Sequence, residues 1–71
     1  MSQEVVSDLV ANVIGVSVAV GDRVEAGDEV ALLESMKMEI PVLAERPGTV
    51  SAVKVHVGDV VQEGDVLAVI T

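Results

Sequence analysis

Few of the 71 side chains in this sequence are equipped for chemistry, and their types narrow what is open to it. There is no Cys, so a thiolate nucleophile, a disulfide and a cysteine metal site are all excluded. His56 is the single histidine; it alternates with Val55 and Val57, which reads as a solvent-facing position, and no nucleophile–base pair accompanies it. Acidic residues recur in two stretches of the form Gly-Asp-x-Val-x-x-Gly-Asp, residues 21–28 and 58–65. Both lack the spaced ligands and closing Glu of a calcium loop, so they read as turns rather than metal sites. No Gly-rich phosphate loop is present. What remains is an amine: Lys37, flanked by Met36 and Met38 within Glu34-Ser35-Met36-Lys37-Met38-Glu39. A methionine on an exposed turn forgoes burial, and its flexible thioether suits contact with a partner surface. The competing reading has the methionines folded back on the core and the lysine merely solvated.

Lys37 has to be held by the elements on either side of it. Val30 to Leu33 leads in as a strand, Ile40 to Leu43 leads out as another, and Ser35 to Met38 reads as a tight hairpin turn. The usual Asn-Gly or Asp-Gly signal of such a turn is missing. This connector, Glu34 to Arg46, interrupts an internal repeat. A shift of 37 residues lays Val10–Leu33 on Pro47–Ile70 and matches ten of 24 pairs. They include Gly21/Gly58, Asp22/Asp59, Gly27/Gly64 and Asp28/Asp65. Repeats of this kind organise a fold and are sought first.

Each copy reads as strand, loop, strand. Val16, Val18 and Val20 alternate with smaller or polar residues, as do Val53, Val55 and Val57, which predicts half-buried strands. Val13 and Val50 are out of phase with those runs, so a bulge or bend is expected near Gly15 and Ala52. Val24 and Val61, central in the two loops, are placed to plug into the core. Eighteen valines and no Phe, Tyr or Trp favour sheet, because β-branched side chains pack well on a pleated surface. The expected fold is all-β: a flattened barrel or sandwich of two antiparallel four-stranded sheets related by an internal pseudo-two-fold axis. That axis puts the connector and the chain ends at opposite ends of the molecule. Residues 1–71 suffice for one small domain, whose core is marginal because a chain of this size buries only about 60% of its unfolded surface.

The hexapeptide resembles the signature around the modified lysine of biotinyl domains, usually Glu-Ala-Met-Lys-Met. The flanking Gly-Asp loops and Pro47-Gly48-Thr49-Val50 extend the resemblance over Leu9 to Ile70. The chain is similar to free-standing biotin/lipoyl attachment proteins and to the carrier domains of acyl-CoA and pyruvate carboxylases. Ser35 stands where that family usually has Ala, Val10-Ala11 where the first copy usually has Pro-Gly, and the thumb insertion of some bacterial carriers is missing.

The resemblance implies covalent biotin on Lys37, with Met36 and Met38 as flanking recognition residues and Glu34, Ser35 and Glu39 as lesser parts of the tip. It implies a biotin protein ligase as one partner, and biotin carboxylase and carboxyltransferase components as others. The chain itself would be a non-catalytic carrier. A lipoyl carrier of the same fold usually presents Asp-Lys-Ala, so Met36-Lys37-Met38 argues for biotin; an unmodified binding or structural domain is the third reading. The net charge of −8 disfavours nucleic acid and anionic membranes. No apolar run approaches the roughly 20 residues of a membrane helix. The first residues carry no signal-peptide pattern, so a cytoplasmic location is expected; the carrier is also expected to be a monomer.

Overall fold

The computed structural model describes residues 2–71 and is built from eight strands. In chain order they are β1 (Gln3–Val6), β2 (Ala11–Val16), β3 (Arg23–Val24), β4 (Glu29–Ser35), β5 (Met38–Leu43), β6 (Gly48–Val53), β7 (Val60–Val61) and β8 (Val66–Ile70). They form two four-stranded sheets with orders β1-β8-β6-β3 and β5-β4-β2-β7, every pair antiparallel. Between them lies a core of valine, leucine, isoleucine and alanine, in which Val13, Val30, Leu33, Val50, Leu67 and Ile70 are essentially inaccessible. Val24 and Val61 are buried as expected and join the same core. Among the described residues no helix is long and apolar enough to cross a membrane.

The 37-residue repeat is realised down to individual backbone hydrogen bonds. Gly58 N donates to Val13 O and Val13 N to Asp59 O; Gly21 N donates to Val50 O and Val50 N to Asp22 O, all at 2.8 Å. Each copy thus ties its loop to the opposite copy, which joins the two sheets. The symmetry also runs past the repeat seen in the sequence. Leu33 pairs with Ile40 and Ile70 with Gln3; Ala31 pairs with Val42 and Ala68 with Val5. Strand β1 is therefore the counterpart of β5. Ile70 and Gln3 are thus register partners as Leu33 and Ile40 are.

Bulges fall where the valine phase predicted them, between Val13 and Gly15 and between Val50 and Ala52. The alternating runs beyond them are not strands, however. β2 stops at Val16 and β6 at Val53. The next residues must leave one sheet to pair in the other, because β3 joins β6 and β7 joins β2. During that crossing Ser17 N still bonds Val30 O, and Lys54 N bonds Leu67 O. Val55 turns inward, whereas Val20 and Val57 end 64% exposed. Period-two patterning identified a chain alternating in and out, but not a ladder.

The Gly-Asp loops are turns. Gly21, Gly27, Gly58 and Gly64 all adopt φ between 90° and 99°, a conformation that side chains oppose. Each aspartate caps its own turn through Oδ2. Asp22 accepts from Ala19 N, Asp28 from Glu25 N, Asp59 from His56 N and Asp65 from Gln62 N, at 2.8–2.9 Å. Replacement of Pro-Gly by Val10-Ala11 in the first copy does not disturb the strand, since β2 begins at Ala11 as β6 begins at Gly48.

Candidate functional site

The β4–β5 hairpin carries every tip residue singled out from the sequence. Its ladder runs from Glu29↔Leu43 through Leu33↔Ile40 and Glu34↔Glu39 to Ser35↔Met38. Met36 and Lys37 alone bridge the strands, at φ of 53° and 65°. Positive φ at both central residues is the requirement of a type I′ turn, whose twist matches that of the flanking strands. The sequence fills these positions with neither Asn nor Gly. The left-handed region costs a side-chain-bearing residue about 1–2 kcal/mol. Met36 and Lys37 are the only non-glycine residues at positive φ among those described. Such strain persists only where the surroundings over-determine it, and it concentrates at functional sites.

The surroundings here are firm. Leu33, two residues before Ser35, is fully buried, and Val30 and Ala31 lie deeper in the same strand. At the base of the hairpin Gly27 N donates to Ala44 O and Ala44 N to Asp28 O. Gln3, a buried polar residue, adds a clasp across the sheets. Its Oε1 accepts from Glu45 N at 2.8 Å and its Nε2 donates to Arg46 O at 3.3 Å. Sequence reasoning missed Gln3. The only signal for it was continuation of the 37-residue shift around the chain, where Val5 over Val42 is the sole identity in β1.

Above that base the tip is open. Met36 is 88% exposed and Met38 60%, so the methionines do not fold back onto the core. Lys37 is exposed as well, and the two side-chain ion pairs among the described residues, Arg23–Glu25 and His56–Asp59, leave it out. Alternation sets Ser35 and Met38 on the face that carries Leu33 and Ile40. Glu34 and Glu39 share the other face as direct cross-strand neighbours. Like charges so placed repel, and folding alone gives no reason for the pairing. The arrangement offers an unhindered primary amine, two thioethers and two carboxylates on a rigid mount. His56 lies apart, on the exposed loop before β7, with its imidazole 3.8 Å from Asp59.

Comparison with known proteins agrees with this geometry. The sequence model of the biotin/lipoyl family, described as biotin-requiring enzyme, matches residues 3–70. A biotinylated protein TB7.3 homolog from Mycobacterium leprae is 55% identical over 51 residues, 72% of either chain. In the crystal structure of Kluyveromyces lactis urea carboxylase, 6% of that chain superposes on all of this one, with a TM-score of 0.93 and 38% identity. The lipoyl domain of the 2-oxoglutarate dehydrogenase complex from Azotobacter vinelandii superposes over 87% of this chain and 78% of its own, with a TM-score of 0.74 and 26% identity. The same eight-stranded fold thus serves proteins named for biotin and for lipoyl groups. A family match over nearly the whole length, together with the pseudo-symmetric sheets and the lysine hairpin, places this chain in the biotin/lipoyl family.

Proposed function

We propose that this protein is a biotin carrier, acylated on Lys37 by a biotin protein ligase and serving a biotin-dependent carboxylase. The observation that carries the reading is the tip itself: an exposed lysine held at positive φ between two exposed methionines. The relative named as a biotinylated protein and the urea carboxylase superposition support it.

In the modification step, Nζ of Lys37 attacks the acyl carbon of biotinyl-AMP on the ligase. An amide forms, AMP leaves, and the amine's surplus proton passes to the ligase. Attack needs the neutral amine, whose lone pair forms the new bond. The ligase supplies deprotonation, while this chain supplies position. The left-handed turn turns Lys37 outward, and the β4–β5 ladder keeps the turn from collapsing onto the sheet. Met36 and Met38 give the ligase an apolar grip on either side of the amine, and Glu34, Ser35 and Glu39 complete the surface it reads. Bound biotin supplies a ureido nitrogen that takes up carboxyl at a biotin carboxylase site and releases it at a carboxyltransferase site. The tether makes each delivery effectively intramolecular, raising local concentration without new contacts.

Intact-mass analysis after incubation with a biotin ligase, ATP and biotin, followed by peptide mapping, tests the reading. One biotinyl group on Lys37 is expected, and none on a Lys37→Arg variant. That variant should keep its stability within about 0.5 kcal/mol, as exposed substitutions do. No incorporation, with lipoyl incorporation in a parallel reaction, would transfer the protein to the lipoyl carriers. Biotin on Lys54 would move the site off the hairpin.

A further inference from the structure

The tip holds chemistry that carboxyl transfer leaves unused, namely two thioethers in water. The sequence has no Cys, Trp or Tyr, and its one other methionine is Met1. Susceptibility of sulfur to oxidation follows exposure. A two-electron oxidant reaching this chain therefore meets Met36 and Met38 with no thiol, indole or phenol to intercept it. Both residues are chain neighbours of Lys37, and neither belongs to the core cluster. We propose that Met36 and Met38 form a reversible oxidation site at which a hydroperoxide converts both thioethers to sulfoxides and thereby shuts off acylation of Lys37. The proposal rests on the attachment reading above.

The step balances without any group beyond the named oxidant. A sulfur lone pair attacks one peroxide oxygen, the S–O bond forms and the O–O bond breaks. Sulfur is oxidised by two electrons and the peroxide is reduced. The departing oxygen takes up the proton of the transferred one and leaves as water, or as an alcohol from an organic hydroperoxide. Reversal requires two thiols, which become a disulfide as the sulfoxide oxygen leaves as water under a methionine sulfoxide reductase. Oxidation replaces an apolar, flexible surface with polar, chiral sulfoxides. A ligase pocket shaped for thioethers loses its match on both sides of the amine at once. The fold is insulated from the change, because the hairpin is held by its backbone ladder and by Leu33 rather than by the tip side chains.

The experiment uses the whole chain. Limited hydrogen peroxide is applied and removed, the oxygens are mapped by peptide mass, and the initial rate of biotin incorporation is measured with untreated ligase. Oxygen on Met36 and Met38 is expected, with an unchanged far-UV spectrum. Incorporation should slow by at least about tenfold, the scale of a mismatched apolar contact. Methionine sulfoxide reductases should restore the rate. The paired variant Met36→Leu/Met38→Leu, whatever its own rate, should show the same rate before and after peroxide. Doubly oxidised protein labelled at full rate overturns the proposal, as does a paired variant slowed as much as the parent. If the variant takes no biotin at all, failure of the reductases to rescue oxidised parent overturns it instead. Untreated parent refusing biotin is a different result, which overturns the attachment reading and the gate with it.

Discussion

Relief of the turn should stabilise this protein, an unusual direction for mutation of a proposed attachment site. Met36 and Lys37 sit at φ of 53° and 65°, where each pays about 1–2 kcal/mol for its Cβ. Substitution Lys37→Gly removes that cost but adds about 0.5–1 kcal/mol of unfolded-chain entropy to be lost. Met36→Asn relieves only part of the cost, because Asn tolerates the left-handed region through local hydrogen bonds. The pair together should yield about 1–1.5 kcal/mol, the remainder after these subtractions. For 71 residues the unfolding entropy near 60 °C is about 150 cal/mol/K, so the melting temperature should rise by about 7–10 °C. Without aromatic residues the melt must be followed by far-UV circular dichroism or calorimetry. Met38→Gly supplies the opposite sign. Met38 has no positive φ, so the same gain in unfolded-chain freedom should lower stability by about 0.5–1 kcal/mol. A paired substitution that leaves the melting temperature unchanged or lowers it, while Met38→Gly behaves as expected, would refute the strain argument. It would mean that the Met36 and Lys37 side chains stabilise the hairpin by as much as their backbone conformation costs.

Four further substitutions probe the frame and the tip it carries. A Cβ at Gly48 would stand 2.6 Å from Cγ2 of Ile70 and 2.8 Å from the Thr71 carbonyl oxygen. Gly48→Ala should therefore cost about 1–3 kcal/mol in a denaturant titration, as overpacking does; a neutral result would show that β8 can move away. Asp59→Ala removes the acceptor that caps His56 N, and should lower stability by about 1 kcal/mol. Equal loss in Asp22→Ala is expected from the repeat, and a threefold difference between them would argue against equivalent loops. Glu39→Lys converts the repelling pair with Glu34 into an attractive one and should add about 0.2–1 kcal/mol at low salt. A stabilisation that survives molar salt would point to some other cause, since exposed pairs are screened.

Much of this architecture was legible in the residues. The 37-residue shift identified the two copies, and the matched glycines and aspartates located loops that are turns in the structure, although the capping role of each aspartate was not foreseen. The phase slip at Val13 and Val50 located the bulges. Less legible was anything fixed by pairing between the copies. The runs Val16–Val20 and Val53–Val57 look like uninterrupted strands because alternation of residue type records no pairing, and their last valines, Val20 and Val57, in fact face solvent. The crossing between sheets is decided by where β3 and β7 find partners. Strand β1 was hidden for a related reason. Its counterpart, β5, matches it through register and not through residue type, with Gln3 facing Ile70 as Ile40 faces Leu33. The exposure of the tip could be anticipated from Met36-Lys37-Met38, but its left-handed backbone could not. Those residues carry none of the Asn or Gly that normally marks such a turn.

The mismatch between turn and residues is what ties the fold to the proposed function. A hairpin selected only for stability would place Asn-Gly between Ser35 and Met38 and would separate Glu34 from Glu39 in charge. This one accepts backbone strain at two successive residues, a like-charge pair beside them and two large apolar side chains in water, all within six residues. Exposed valines occur elsewhere, but backbone strain, like charge and apolar exposure coincide at this turn, and such a coincidence points to a demand from outside the fold. The repeat sharpens the contrast. In the other copy Gln3 pairs with Ile70 in the register that joins Ile40 to Leu33. The two copies share their Gly-Asp loops, bulges and capping aspartates, whereas Met36-Lys37-Met38 occurs once. The proposed function would reside in the one hairpin motif that the repeat does not duplicate, on strands whose packing the symmetry supports.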